Sequence, residues 1–296
     1  MNRSVASLWT SHHTNLERLL ILLCIGLTVI GGMCKHSLDK LHSQIEIRNK
    51  EIVMLKAIQN GRTIHLDSSV STKPFFLTYS QILEDFILAN VFKDVSDGFY
   101  IDVGANEPII DSVTKHFYIN GWHGINIEPL ENRFNQLVKD RARDINLRIA
   151  VGESEGELEL YENDQLTTFK VDQAQKWKTI PTPRKVNVTT LAKICEQYCR
   201  DVNIIHFLKV DVEGFEAEVL KGADFKRFRP QVINLEWNRT NKTELEEVLN
   251  DNDYQLALKY KWDAYYYDTH IPNLLSRFTP VSELLKQYFI AKIFSY

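Results

Sequence analysis

The sequence is poor in cysteine, with four in 296 residues, which excludes a fold stapled by a disulfide framework. Cys24 and Cys34 sit in or beside an apolar segment, where a thiol packs as a small hydrophobe or carries a palmitoyl chain. Cys195 and Cys199 stand four apart in a predicted helix, and no histidine or further cysteine lies near them to complete a set of metal ligands. Two thiols packed on one helical face are expected there. No long run of lysine and arginine occurs, and the formal net charge is −4. The electrostatic footprint of a nucleic-acid binder is therefore missing. Also missing is the G-x-G-x-x-G turn of a dinucleotide site, because Asn106 and Ile109 stand where the glycines after Gly104 belong. Without that turn there is no seat for a pyrophosphate, which leaves a nucleoside lacking a diphosphate as the ligand to expect.

What is present is the balance of a globular protein, 44% apolar and 25% charged, long enough for one catalytic domain with appendages. Residues 98–108, GFYIDVGANEP, read as a short buried strand that meets a turn and opens a helix. Gly104 has no Cβ and tolerates φ > 0, so a ligand can approach the main chain, and Pro108 presets a first helical turn. Asp102 falls at the carboxyl end of the strand, the edge at which open α/β sheets bind ligands. Residues 121–129, GWHGINIEP, form a second such strand ending in an acid. Glu128 follows the first loop by about 20 residues, the separation of a ribose-binding carboxylate, and can accept from both ribose hydroxyls.

A third apolar run, residues 204–211, carries Lys209 and Asp211 at its carboxyl end, with Glu213 and Glu216 following through a turn at Gly214. The alternation of strands and helices predicts an α/β fold with a mostly parallel, doubly wound sheet, closed by an antiparallel pair over 254–260 and 264–267. Helices are predicted over 78–92, 109–120, 188–200, 217–228, 243–250 and 281–294, and further strands over 146–151, 157–161 and 232–237. Residues 163–184 lack periodicity and read as a lid.

Several segments in this order carry a family resemblance: Asp102-Val103-Gly104-Ala105-Asn106, Ser112, Gly121-Trp122-x-Gly124, Glu128-Pro129, Asp144-Ile145-Asn146 and Leu208-Lys209-Val210-Asp211-Val212-Glu213-Gly214-x-Glu216. Upstream, Tyr79-x-Gln81-x-x-Glu84-Asp85 matches a helical lead-in. Together they resemble the FkbM family of S-adenosylmethionine-dependent methyltransferases over roughly residues 78–268; Pro108 stands where that family often has glycine. The resemblance implies a Rossmann-like class I methyltransferase fold, S-adenosyl-L-methionine as cofactor, and methylation of an oxygen on a sugar or small-molecule acceptor. On this reading Asp102, Gly104, Ala105, Asn106, Ser112 and Glu128 face the cofactor, while Asp211, Glu213 and Lys209 face the reaction. Asp211 is the first choice as general base or substrate orienter, and Lys209 binds a substrate anion or pairs with a carboxylate. The carboxylates Asp211, Glu213 and Glu216 suit a hard cation, but they make no complete ligand set, so no metal is assigned.

The remainder divides into a polar tail (1–18), an apolar run (19–34), a helical stalk and linker (35–75), the methyltransferase-like domain (76–270) and an amphipathic terminal helix (271–296). Residues 19–34 hold no charge and would span about 24 Å as a helix, which reads as a single-pass membrane anchor with cleaved signal peptide as the competing reading. Heptad spacing over 38–55 suits either self-association or a monomeric stalk, and residues 60–75 read as linker. The cations Lys35, Lys40, Arg48 and Lys50 favour a cytoplasmic domain. The sequons at Asn187, Asn238 and Asn241 and the anchor-stalk-domain layout favour a Golgi or endoplasmic-reticulum lumen. The competing functional expectation is an inactive methyltransferase-like membrane adaptor.

Overall fold

The computed structural model describes residues 75–163, 166–169, 171–175 and 182–292. The expected membrane segment 19–34, the heptad stretch and the linker up to residue 74 lie outside the described residues. Among the described residues, no helix is long and apolar enough to cross a membrane.

The chain opens with β1 (Phe75–Thr78), α1 (Glu84–Val91), β2 (Phe99–Val103), α2 (Lys115–Ile119), β3 (His123–Ile127), α3 (Glu131–Asp140) and β4 (Ile145–Leu147). It continues through β5 (Ala150–Val151), β6 (Gly156–Asn163), β7 (Leu166–Thr168), α4 (Val171–Ala174), β8 (Arg184–Thr189) and α5 (Leu191–Tyr198). The last elements are β9 (Ile205–Val210), α6 (Glu216–Lys221), β10 (Pro230–Glu236), α7 (Lys242–Asp251), β11 (Tyr254–Tyr260), β12 (Asp263–Asp268), α8 (Val281–Gln287) and β13 (Phe289–Lys292).

Seven strands form the central sheet in the order β11-β12-β10-β9-β2-β3-β4. β4, β3, β2, β9 and β10 run parallel, and β12 is antiparallel to both β10 and β11. Every residue of β2 and β9 is buried, which is why both read as mostly apolar runs rather than alternating ones. Alternation still assigns the faces. Ile101, Val103, Leu208 and Val210 pack with α5, α6 and α7 through Leu191, Ile194, Val219 and Leu245. Tyr100 and Phe207 pack with α1, α2 and α8 through Leu88, Phe117 and Val281. The sheet is thus covered on both sides. The strand order reverses between β2 and β9, and such a switch point leaves a crevice beyond the carboxyl ends of the strands. Asp102 is level with both Asn126 and Lys209, and Val103 with both Ile127 and Val210, so Gly104, Glu128 and Asp211 emerge together at that edge.

Several predicted boundaries move, each for a local reason. The helix expected over 78–92 shortens to α1, because the Asp85 carboxylate gathers the Thr78 hydroxyl (2.5 Å), the Ser80 hydroxyl (2.7 Å) and the Tyr79 N–H (2.7 Å). Leu83 turns the chain at φ +76°. Glu84 and Asp85 of the expected helical lead-in are buried. Pro108 does not open a helix: buried Arg141 donates from Nε and Nη2 to its carbonyl (3.1 and 2.8 Å), and helix begins only at α2. The run 146–151 divides between β4 in the central sheet and β5 in a smaller sheet of order β5-β8-β6-β7. The helix expected over 188–200 is β8 followed by α5, with the Thr190 hydroxyl accepting from Lys193 N–H as N-cap. The terminal helix stops at Gln287, and β13 pairs in parallel with β1, Phe75 level with Phe289 and Thr78 with Lys292. The described part of the expected lid holds β7 and α4.

Candidate active site

Gly104 has φ +77°, and a Cβ on it would overlap the carbonyl oxygen of Asp211. Sequence reasoning expected a ligand to use this glycine; the turn after β9 uses it first. The Asp211 N–H donates to the Val103 carbonyl (3.1 Å), so the two turns close on each other. The Gly104 and Ala105 N–H groups both donate to the Ile127 carbonyl, at 3.0 and 3.1 Å. The Asn106 N–H donates to Glu128 Oε2 (2.9 Å), with Asn106 at φ +51°. All three amides of the first loop are therefore committed within the protein.

Glu128 is held from two sides, since the Leu130 N–H donates to its Oε1 (2.8 Å). Each carboxylate oxygen keeps a further lone pair for an incoming hydroxyl. Burial pushes its pKa up, while the Leu130 and Asn106 amides and the more distant Lys209 pull it down.

Gly104 and Glu128 border a pocket with ≈ 440 Å³ of empty space, part of it open to solvent. Gly104, Glu128, Asp211 and Glu213 line it, with Ile149, Leu160 and Phe169 among its apolar walls. Asp102, Ala105, Asn106, Ser112 and Lys209 are not in that lining. Alternation along β2 and β9 turns Asp102 and Lys209 to the opposite face from Val103 and Val210. There Asp102 accepts from the Thr114 hydroxyl (2.9 Å) and its Oδ1 lies 3.2 Å from Lys209 Nζ. Lys209 Nζ also donates to the Gly104 carbonyl (2.7 Å) and lies 3.8 Å from Asp211 Oδ2. Burial works to lower the Lys209 pKa, but Asp102 and Asp211 more than offset it and the net shift is upward. The ammonium is fixed in its charged form and ties the loop to both strand tips. Ser112 is buried and accepts from Arg141 Nη2 (2.8 Å).

On the other side of Asp211 lies an acid the motifs did not single out. Glu236 ends β10 one step beyond Leu235, which is level with Val210. It is buried, with Arg239 Nε 3.6 Å from its Oε1. Arg239 also pairs with Glu213, which has φ +54°. Glu216 is buried and its Oε1 accepts from the N–H groups of Val212 (3.1 Å) and Gly214 (3.0 Å). Asp211, Glu216 and Glu236 offer oxygens within 4.8 Å of one another. Burial and then the Asp211 and Glu216 charges push Glu236 up to about 9. Its one sequence signal was position: an acid ending a buried strand, as Asp102 nearly ends β2.

A family model, the methyltransferase FkbM domain, matches residues 102–256. The chain belongs to the FkbM methyltransferase family. Membership implies an S-adenosylmethionine cofactor, and the matched span contains the Gly104 loop, Glu128, Asp211 and Glu236. Among solved structures, the chain is similar to the FkbM methyltransferase of Methylobacillus flagellatus KT at 17% identity, covering 69% of this chain and 47% of that one, with TM-score 0.39. The chain thus spans about half the length of that protein. It is also similar to a fibrillarin/Nop5p complex (14% identity, 70% and 91% covered, TM-score 0.36). A third likeness is to a protein in the NADB-Rossmann superfamily from Streptococcus agalactiae (14% identity, 67% and 82% covered, TM-score 0.34). No curated protein matches the chain.

The FkbM pocket fits a nucleoside cofactor on its own geometry. A flat base needs apolar walls, which Ile149, Leu160 and Phe169 provide, and a ribose needs a fixed acceptor, which Glu128 provides.

Proposed function

We propose that this FkbM-family chain is an O-methyltransferase acting on a hydroxyl of a sugar or other small-molecule acceptor, with its catalytic domain held at a membrane through residues 19–34. The observation that carries the reading is the pocket in which the Gly104 turn, Glu128, Asp211 and Glu213 meet. Bound S-adenosylmethionine supplies a methyl group on a sulfonium already activated for in-line displacement, so the protein's work is to hold the acceptor in line and remove a proton. Glu128 holds the ribose hydroxyls through its two backbone-anchored oxygens. Asp211, at the lip of the pocket, would take the acceptor's hydroxyl proton. Glu213, oriented by Arg239, positions the acceptor. Asp102 and Lys209 act behind the wall: their ion pair keeps the Gly104 carbonyl and the Asp211 carboxylate in place.

The three sequon asparagines, Asn187, Asn238 and Asn241, are exposed on the domain surface. That supports placing the domain in a Golgi or endoplasmic-reticulum lumen, with a glycan as the acceptor class. The stalk over 38–55 gives a route to a homo-oligomer.

Incubating the full chain with methyl-labelled S-adenosylmethionine and a panel of sugars tests this reading. The expected product carries label on oxygen, and Asp211→Asn lowers kcat at least a hundredfold with KM for the cofactor unchanged. Label recovered only on nitrogen or carbon would refute the oxygen assignment.

A further inference from the structure

The acids beside Asp211 form an unusual set. In two of them, one oxygen is tied by the protein and the other is left over: Glu216 Oε1 takes two backbone amides while its Oε2 has no partner. Glu236 Oε1 faces Arg239 while its Oε2 has no partner. Both side chains are more than nine-tenths buried, at 0% and 7% exposure. A buried carboxylate oxygen without a donor costs free energy, so native proteins rarely leave one, and two on neighbouring side chains beside a third carboxylate are rarer still. The third, Asp211, is exposed and lines the pocket.

We propose that Asp211, Glu216 and Glu236 bind one divalent cation of the oxygen-preferring class, magnesium or manganese, at the acceptor side of the pocket. Three carboxylate oxygens within 4.8 Å of one another lie near enough for small side-chain rotations to bring them onto a common ion, whose bonds to oxygen are about 2.0–2.1 Å for magnesium. Such ions take six ligands in octahedral geometry and commonly keep several waters, so three protein ligands leave positions for water and for an acceptor hydroxyl. The strand register explains the set: Asp211 follows β9, Glu216 begins α6, and Glu236 ends the neighbouring β10. It also explains why the run Asp211, Glu213, Glu216 looked incomplete in sequence. Glu213 is drawn to Arg239, and the missing ligand arrives from the next strand, twenty residues beyond Glu216. Placed there, the cation would take the acceptor oxygen as a ligand and favour its deprotonated form. That role rests on the proposed methyl transfer; the binding itself does not.

The test is a titration of the full chain, in detergent and without cofactor or acceptor, with Mn²⁺ followed by the electron-paramagnetic-resonance signal of the free ion. One saturable site per chain is expected, displaced by excess Mg²⁺, and Glu236→Gln raises its Kd at least tenfold with the circular-dichroism spectrum unchanged. Glu216→Gln, which keeps an acceptor for the Val212 and Gly214 amides, gives the same loss. Absence of saturable binding at millimolar Mn²⁺, or binding unaltered in both variants, overturns the proposal. Because neither cofactor nor acceptor is present, a failure here leaves the methyl-transfer reading standing, and a failure of methyl transfer leaves the cation site standing.

Discussion

The carbonyl oxygen of Asp211 stands where a Cβ on Gly104 would be, so the turns after β2 and β9 interlock through one missing methyl group. Gly104→Ala therefore meets two penalties, a non-glycine residue at φ +77° and an overlap with backbone. Strain of this kind costs about 1–3 kcal/mol before the overlap is counted. Urea unfolding is expected to show a loss of about 2 kcal/mol or more, and calorimetry a fall in cofactor affinity. A variant of native stability would mean that the two turns separate freely.

Glu128→Ala removes the acceptor for two backbone amides and, on the proposed reading, for the ribose. Cofactor Kd is expected to rise at least tenfold, with a modest drop in melting temperature from the stranded Asn106 and Leu130 amides. Equal affinity for wild type and variant would strip Glu128 of its ribose role.

Lys209→Met strands the buried Asp102 carboxylate. Removing one member of a buried ion pair costs about 3–5 kcal/mol, largely because the partner's charge is left uncompensated. The double variant Lys209→Met with Asp102→Asn should recover part of that loss, and a double-mutant cycle on unfolding free energies reads the coupling. Additive losses would show that the two side chains do not act as a pair.

Burial, with Asp85 adding repulsion, pushes the Glu84 carboxyl up to about 7 against its hydrogen bonds. The folded state then keeps a proton that the unfolded state releases near its ordinary value of 4.5. Stability should fall as pH rises from about 4.5 through 7, because the unfolded chain binds fewer protons over that window. Asp263, which burial and Glu84 raise to about 8, extends the decline upward. Glu84→Gln should flatten the lower part of the slope in melting temperatures taken from pH 5 to 8; an unchanged slope would place the titration elsewhere.

If the domain lies in a lumen, the exposed Asn187, Asn238 and Asn241 are open to glycosylation. Full-length protein from a eukaryotic host should lose apparent mass on endoglycosidase treatment, and Asn→Gln at all three positions should abolish the shift. Protein that is never glycosylated would move the domain to the cytoplasmic side.

Much of the sheet was legible because its central strands are buried on both faces and so leave mostly apolar runs, broken by Asp102 in residues 99–103 and by His206 and Lys209 in residues 205–210. The closing pair was legible from the tyrosine- and leucine-rich segments on either side of the turn at Lys261. The β1–β13 pair was not legible, since a strand at each end of the domain pairs through contacts more than two hundred residues apart. The shortening of α1 was equally hidden, because the Asp85 carboxylate competes with helix formation only once it is buried among Thr78, Tyr79 and Ser80.

By itself the sequence determined the α/β class, the glycine turn and the acids at strand tips, because strand period and turn chemistry are local properties of the chain. Only the tertiary structure decided which of those acids share a space. Side-chain parity sends Asp102 and Lys209 behind the pocket wall, and the neighbouring β10 brings Glu236 to Asp211 and Glu216. Contacts between strands depend on sheet order, which no single segment encodes.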